Sequence, residues 1–137
     1  MSPLAQPTLV PIGENRWRLT EDYIYEWAHD GVSRSLTVKA GFETDLASVP
    51  PLFWALGFPP DGLHRAAAVL HDALYRARGI LPSSHLVYRV NGVAVPARFT
   101  RLEADRLFGR AMREGDVPQW RRRTMFRAVR LCSWLFW

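Results

Sequence analysis

His71 and Asp72 stand side by side in the run Ala67-Ala68-Val69-Leu70-His71-Asp72-Ala73-Leu74-Tyr75. An imidazole beside a carboxylate can act as an acid–base pair or as two metal ligands. Leu63, Ala66, Ala67, Leu70, Ala73, Leu74 and Ala77 recur at helical spacing and predict a helix over 63–78, capped by Asp61 and stopped at Gly79. At about 100° per residue, His64, His71 and Tyr75 share one flank of this stripe, and Asp72 points round toward Arg65 and Arg76. A plainer reading stands beside the chemical one: the histidines are edge-of-core groups, and Asp72 pairs with Arg76 one turn on, worth roughly 0.3 kcal/mol. A second acid stands out further along. Thr100-Arg101-Leu102-Glu103 is a capping box that opens a helix running to about Glu114, with Gly115 as its stop. Ala104, Phe108, Ala111 and Met112 face inward, and Asp105 lies on the edge of that apolar face. A carboxylate buried alone costs several kcal/mol, so Asp105 is expected to have a partner.

The elements that must position these residues follow from the patterning. Met1 to Pro11 carries three prolines and reads as an extended lead-in or edge strand. From Arg16 to Trp27 the chain reads as strand, with Tyr23, Tyr25 and Trp27 on one face. Asp30-Gly31 is a turn, and Leu36, Val38 and Ala40 alternate with polar residues after it, giving a hairpin that Arg16–Leu19 would extend to three strands. After a loop from Gly41 to Pro51, Leu52, Phe53, Trp54 and Leu56 predict a short apolar helix that ends at Gly57. Residues 86–97 form a second hairpin around Asn91-Gly92. Asp116 and Pro118 begin a last helix that runs close to Trp137.

A chain of 137 residues can bury one core and is read as a single domain over 1–137. The one cysteine, Cys132, excludes an internal disulfide framework. There is no apolar run of ~18 residues for a spanning helix, and the N-terminus lacks the charged and apolar regions of a signal peptide. The net charge of +5 is uneven. Residues 119–137 hold Arg121, Arg122, Arg123, Arg127 and Arg130 with no acid, and the remaining basic and acidic residues cancel. An electrostatic partner is therefore sought at the C-terminal end. Met125, Val129, Cys132 and Phe136 form a helical stripe there, and Trp134 and Trp137 crowd the tip. The stripe closes the core, or the tip docks onto another subunit or an anionic membrane surface.

Three stretches resemble the phage and prophage proteins grouped as domain of unknown function 1353. They are Thr44-Asp45-Leu46-Ala47-Ser48-Val49-Pro50 with Phe53-Trp54, then Ala66 to Tyr75, then Glu103-Ala104-Asp105-Arg106-Leu107-Phe108 with Ala111-Met112. They span residues 42–112 in the family's order. The resemblance implies a tailed-phage or prophage origin, among tail and lysis genes, in host cytoplasm or virion. It marks Asp45, His71, Asp72, Tyr75 and Asp105 as motif positions. The His71 helix is also similar to the active-site helix of calcium-dependent secreted phospholipases, although the helix cysteines and the glycine-rich calcium loop are missing. A likeness to His-Asp phosphohydrolases would use His29 or His64, then His71-Asp72, then Asp105, but those proteins are mostly helical.

The fold expected is α+β: an N-terminal antiparallel hairpin or meander packed on three main helices, with a second small hairpin at one side. Three classes of function follow. One is a hydrolase-like protein with a site of His71, Asp72, Asp45, Asp105 and Tyr75, in which His71, Asp72 and Asp105 would hold a divalent metal. Another is a non-enzymatic virion or tail component that docks on other phage proteins or on itself through Arg121, Arg122, Arg123, Trp134 and Trp137. A nucleic-acid binder using the arginine cluster ranks last, since no base-reading fold is visible.

Overall fold

The computed structural model describes residues 4–14, 16–44 and 65–132. The short helix expected after Pro51 lies outside them. Strands β1 (Leu9–Gly13) and β2 (Arg16–Leu19) pair antiparallel, and β2 carries β5 (Glu43–Thr44) on its other side through Trp17↔Thr44. A second sheet holds β3 (Tyr23–His29), β4 (Val32–Val38), β7 (Leu86–Val90) and β8 (Val93–Ala94), in that order. Strands β6 (Ile80–Leu81) and β9 (Ala97–Arg98) form a small third sheet. The helices are α1 (Arg65–Arg76), α2 (Arg101–Glu114) and α3 (Gln119–Cys132). The architecture is α+β, with antiparallel sheets and three helices. Among the described residues no helix is long and apolar enough to cross a membrane.

Both hairpins form at the expected turns. Asp30 and Gly31 have φ of 52° and 74°, and Asn91 and Gly92 have 50° and 81°. Two successive left-handed residues give the twist that two-residue hairpin loops need. Two expected connections differ. Arg16–Leu19 does not extend the first hairpin. Leu19 donates to the Phe42 carbonyl (2.9 Å) and accepts from the Gly41 amide (2.8 Å), so β2 is drawn to the chain leaving the hairpin. Asp22 fixes the bend between the sheets by accepting from the Ala40 amide at 2.8 Å. The second hairpin does not stand at one side either. Its first strand pairs along β4 from Val38↔Leu86 to Arg34↔Val90, which sets Tyr88 beside Leu36 and merges the hairpins into one sheet.

One face of that sheet, with Tyr23, Tyr25, Leu36, Val38 and Leu86, joins a single core with α1 and α2. Helix α1 is buried well beyond its predicted stripe, since Ala68 and Val69 are covered too. Helix α2 packs between α1 and α3. The Thr100 hydroxyl accepts from the Glu103 amide and the Glu103 carboxylate accepts from the Thr100 amide, both at 3.1 Å, so the capping box starts α2 as expected. The N-terminal lead-in also serves α1, because the Gln6 side chain accepts the Ala66 amide at 2.9 Å. Both helices stop at the expected glycines, with Gly115 the C-cap of α2, but the first left-handed residue is a neighbour of each. After α1 it is Arg78 (φ 52°) that first turns left-handed, ahead of Gly79 (φ 72°). After α2 it is Asp116 (φ 61°), while Gly115 keeps φ −83°. The Arg78 and Gly79 amides return to the Tyr75 and Leu74 carbonyls, and those of Asp116 and Val117 to Arg113 and Met112. This is the Schellman closure, which fixes the left-handed residue by its distance from the last helical turn.

Candidate functional site

The site is built where the three helices meet. His71 and Tyr75 sit one turn apart on α1 and present their rings on one face, with centroids 4.1 Å apart. Helix α2 places Asp105 opposite them. His71 Nε2 lies 2.6 Å from Asp105 Oδ1, and the Tyr75 hydroxyl donates to the same oxygen at 2.5 Å. Phe108, one turn along α2 from Asp105, packs against His71 at 5.0 Å between ring centroids. Helix α3 contributes Arg130, which donates to Asp105 Oδ2 at 2.7 Å. Arg101 closes the arrangement. Its guanidinium donates to the Arg130 carbonyl at 3.3 Å and stands 3.8 Å from Asp105 Oδ2.

Asp105 is fully buried and His71 is only 4% exposed. Burial pushes the Asp105 carboxyl up, but the hydrogen bonds from His71, Tyr75 and Arg130 outweigh it, and the group is held below the ordinary carboxylate value. An ionised carboxylate only accepts, so His71 Nε2 carries its hydrogen and donates. The result is an imidazole fixed in orientation and tautomer by a buried acid, which a tyrosine and two arginines hold in turn. A carboxylate that orients an imidazole in this way is one part of an acid–base site, and equally of a buried structural pair.

The expected site residues separate accordingly. His71, Tyr75 and Asp105 come together, and Asp105 has the partner its position required. Asp72 does not join them. It lies on the next face of α1, where it accepts from Arg76 Nε at 3.2 Å, while Arg76 also donates to the Glu43 carbonyl on β5. A rotation of about 100° per residue sends neighbours to different faces. Among the described residues no three His, Cys, Asp or Glu side chains are grouped to hold a metal ion, so the His71–Asp72–Asp105 set is not assembled. Two of its members are bonded to each other, and Arg130 brings its own positive charge to the remaining oxygen of Asp105. His29 pairs with Asp30 at the first hairpin turn. Asp45, His64, Trp134 and Trp137 lie outside the described residues.

The arginine cluster also divides. Arg122 folds back to the Val117 carbonyl (3.1 Å), Arg121 lies over the Trp120 ring (5.5 Å to its centroid), and Arg123 is exposed. Arg130 is the residue that sequence reasoning missed, having been counted with the surface charges. A local signal existed, because Arg130 directly follows Val129 and so flanks the buried stripe.

A small α+β domain with a buried His–Asp–Tyr–Arg cluster is the class that this fold and site define. The chain belongs to the family described as protein of unknown function (DUF1353), whose model matches residues 17–129. His71, Tyr75 and Asp105 fall inside the match, and Arg130 is the first residue beyond it. No curated protein and no solved structure matches the chain.

Proposed function

We propose that the protein is a hydrolase-like enzyme in which His71 is the general base and Asp105 the residue that orients it. The observation that carries this reading is the 2.6 Å contact between His71 Nε2 and a buried, ionised carboxylate. In the neutral ring the lone pair then resides on Nδ1. There it would take a proton from water as the water oxygen attacks a carbonyl or phosphoryl centre, and return it to the leaving oxygen or nitrogen as that bond breaks. Tyr75 and Arg130 hold the carboxylate and touch no reacting atom. The resemblance to phage and prophage proteins supports a setting among tail or lysis functions, with a lipid ester, a phosphodiester or peptidoglycan as the substrate classes to try.

The test is turnover of that panel by the purified chain, with and without divalent metals, beside His71→Ala and Asp105→Asn. Loss of the general base in His71→Ala is expected to cost about 10²–10⁴-fold in kcat, with the folded state retained by circular dichroism. A parent protein that turns over none of the panel, together with a His71→Ala variant that unfolds, would replace the enzyme with a purely structural cluster.

A second reading has its own observation. Trp120 and Leu131 on α3 are 61% and 74% exposed. Eleven residues apart, they share one face of the helix, and that face supports a non-enzymatic virion or tail-assembly protein that docks through α3 onto another phage protein or a second copy. Trp120→Ser with Leu131→Ser would then abolish assembly while leaving the monomer's melting midpoint unchanged.

A further inference from the structure

The inner face of the four-stranded sheet changes character at its open end. Tyr25, Leu36 and Val38 belong to the core, but one pair further along, Trp27 stands opposite Arg34, with Tyr88 on the neighbouring strand. Helix α2 changes in parallel. Leu107 is buried, and Arg106 and Arg110 flank it at the rim. Between the two lies a cavity of about 450 Å³, within the size range of small-molecule sites.

Its walls are aromatic. Trp27 and Tyr88 rings lie 6.3 Å apart and tilted, and Phe99 meets Tyr88 edge-on at 5.3 Å. All three are only partly buried, so ring surface faces the cavity. Its charge is positive. Among the described residues the side chains of Arg34 and Arg106 have no hydrogen bond or ion pair, and that of Arg110 only reaches Glu114 at 4.0 Å. The one acid on the lining, Glu103, is tied to the Thr100 amide by the capping box.

We infer that this groove binds a nucleotide: a planar base against Trp27, Tyr88 and Phe99, with its phosphate held by Arg34 and Arg106. Guanidinium forks match phosphate oxygens in pairs, and aromatic walls take any base by stacking. An acidic sugar fits less well. Its puckered ring offers no flat π face to the three aromatic walls, whereas every base has one. The groove is separate from the His71 cluster, and the inference does not depend on that cluster being catalytic.

Calorimetric titration of the full chain tests it, with adenosine monophosphate, adenosine, inorganic phosphate and single-stranded oligothymidylate as probes. Adenosine monophosphate is expected to saturate one site, with adenosine and phosphate each at least about tenfold weaker. Arg34→Gln and Arg106→Gln should each weaken it about tenfold without moving the melting midpoint. Trp27→Ala should also weaken it through lost stacking, with a lower melting midpoint because Trp27 packs on the core beside Tyr25. An oligonucleotide that binds more tightly than the mononucleotide supports the inference with single strands as the source, and equal binding supports it with free nucleotide. Phosphate binding as well as adenosine monophosphate, binding that survives both arginine changes, or no binding of either nucleotide probe overturns it.

Discussion

Removing a carboxylate from water is costly unless its oxygens find donors, and Asp105 finds them in His71 and Tyr75 at Oδ1 and Arg130 at Oδ2. Its lowered folded pKa makes a signed prediction. The unfolded value is about 3.9, so between the folded and unfolded values the unfolded chain binds more protons. The contribution of Asp105 to stability is then fully present above about pH 4 and is lost as pH falls through the folded value. Asp105→Asn should lower neutral-pH stability by about 3–5 kcal/mol and flatten the acid limb of the melting midpoint against pH. Exposed Asp22 and Glu43, also held low by backbone and arginine partners, act in both proteins, so the difference curve isolates Asp105. Parallel acid limbs would show that its ionisation is not coupled to folding. Much of this cluster was legible in the sequence. An acid at the edge of an apolar helical face demands a partner, and His71 and Tyr75 share a flank one turn apart. Arg130 was legible only through its place beside the buried Val129, a faint mark within a run of arginines. For Asp72 the plainer reading holds: a rotation of about 100° per residue carries it away from His71 and onto Arg76, so adjacency in sequence does not make the two one site.

At the scale of the element, the helix ends make a comparison between two like sites. Arg78 and Asp116 both occupy the left-handed position of a Schellman closure. Arginine carries a left-handed cost of about 1–2 kcal/mol, and glycine returns part of it as unfolded-chain entropy, roughly 0.5–1 kcal/mol. Arg78→Gly should therefore stabilise by about 0.5–1 kcal/mol. Asp116→Gly should gain less, since aspartate tolerates that region. Urea denaturation ranks them, and an Asp116→Gly gain equal to or above that of Arg78→Gly would contradict the assignment. In the other direction, Thr100→Ala removes the cap of α2 and should cost about 1 kcal/mol. The capping box and both hairpin turns could be read directly, because their signals span a few neighbouring residues. The pairing of β2 could not. Its choice of β1 and β5 over β3 depends on where the chain lies some two dozen residues later, in the Trp17↔Thr44 register. No local pattern encodes that.

At the scale of the molecule, α3 is held to the body in two ways. Met125 and Val129 give it an apolar footing in the core, and Arg130 links it through Asp105 to α1 and α2. The single core was legible from chain length and apolar patterning, but the second attachment was not, because it joins residues from three helices at one carboxylate. The two attachments differ in how they respond to paired changes. Tyr75→Phe deletes one donor to Asp105 from α1, and Arg130→Met deletes the cation from α3 while keeping the length of the stem. Each leaves the carboxylate with fewer donors, so the second loss falls on a group already short of them. The double variant should lose more than the two single losses combined, by about 0.5–3 kcal/mol, measured by urea denaturation at neutral pH. Groups that share no partner add to within about 0.3–0.5 kcal/mol. Additivity at that level would mean that α3 is seated by its apolar stripe alone, and that Asp105 does not bind the three helices into one cooperative unit.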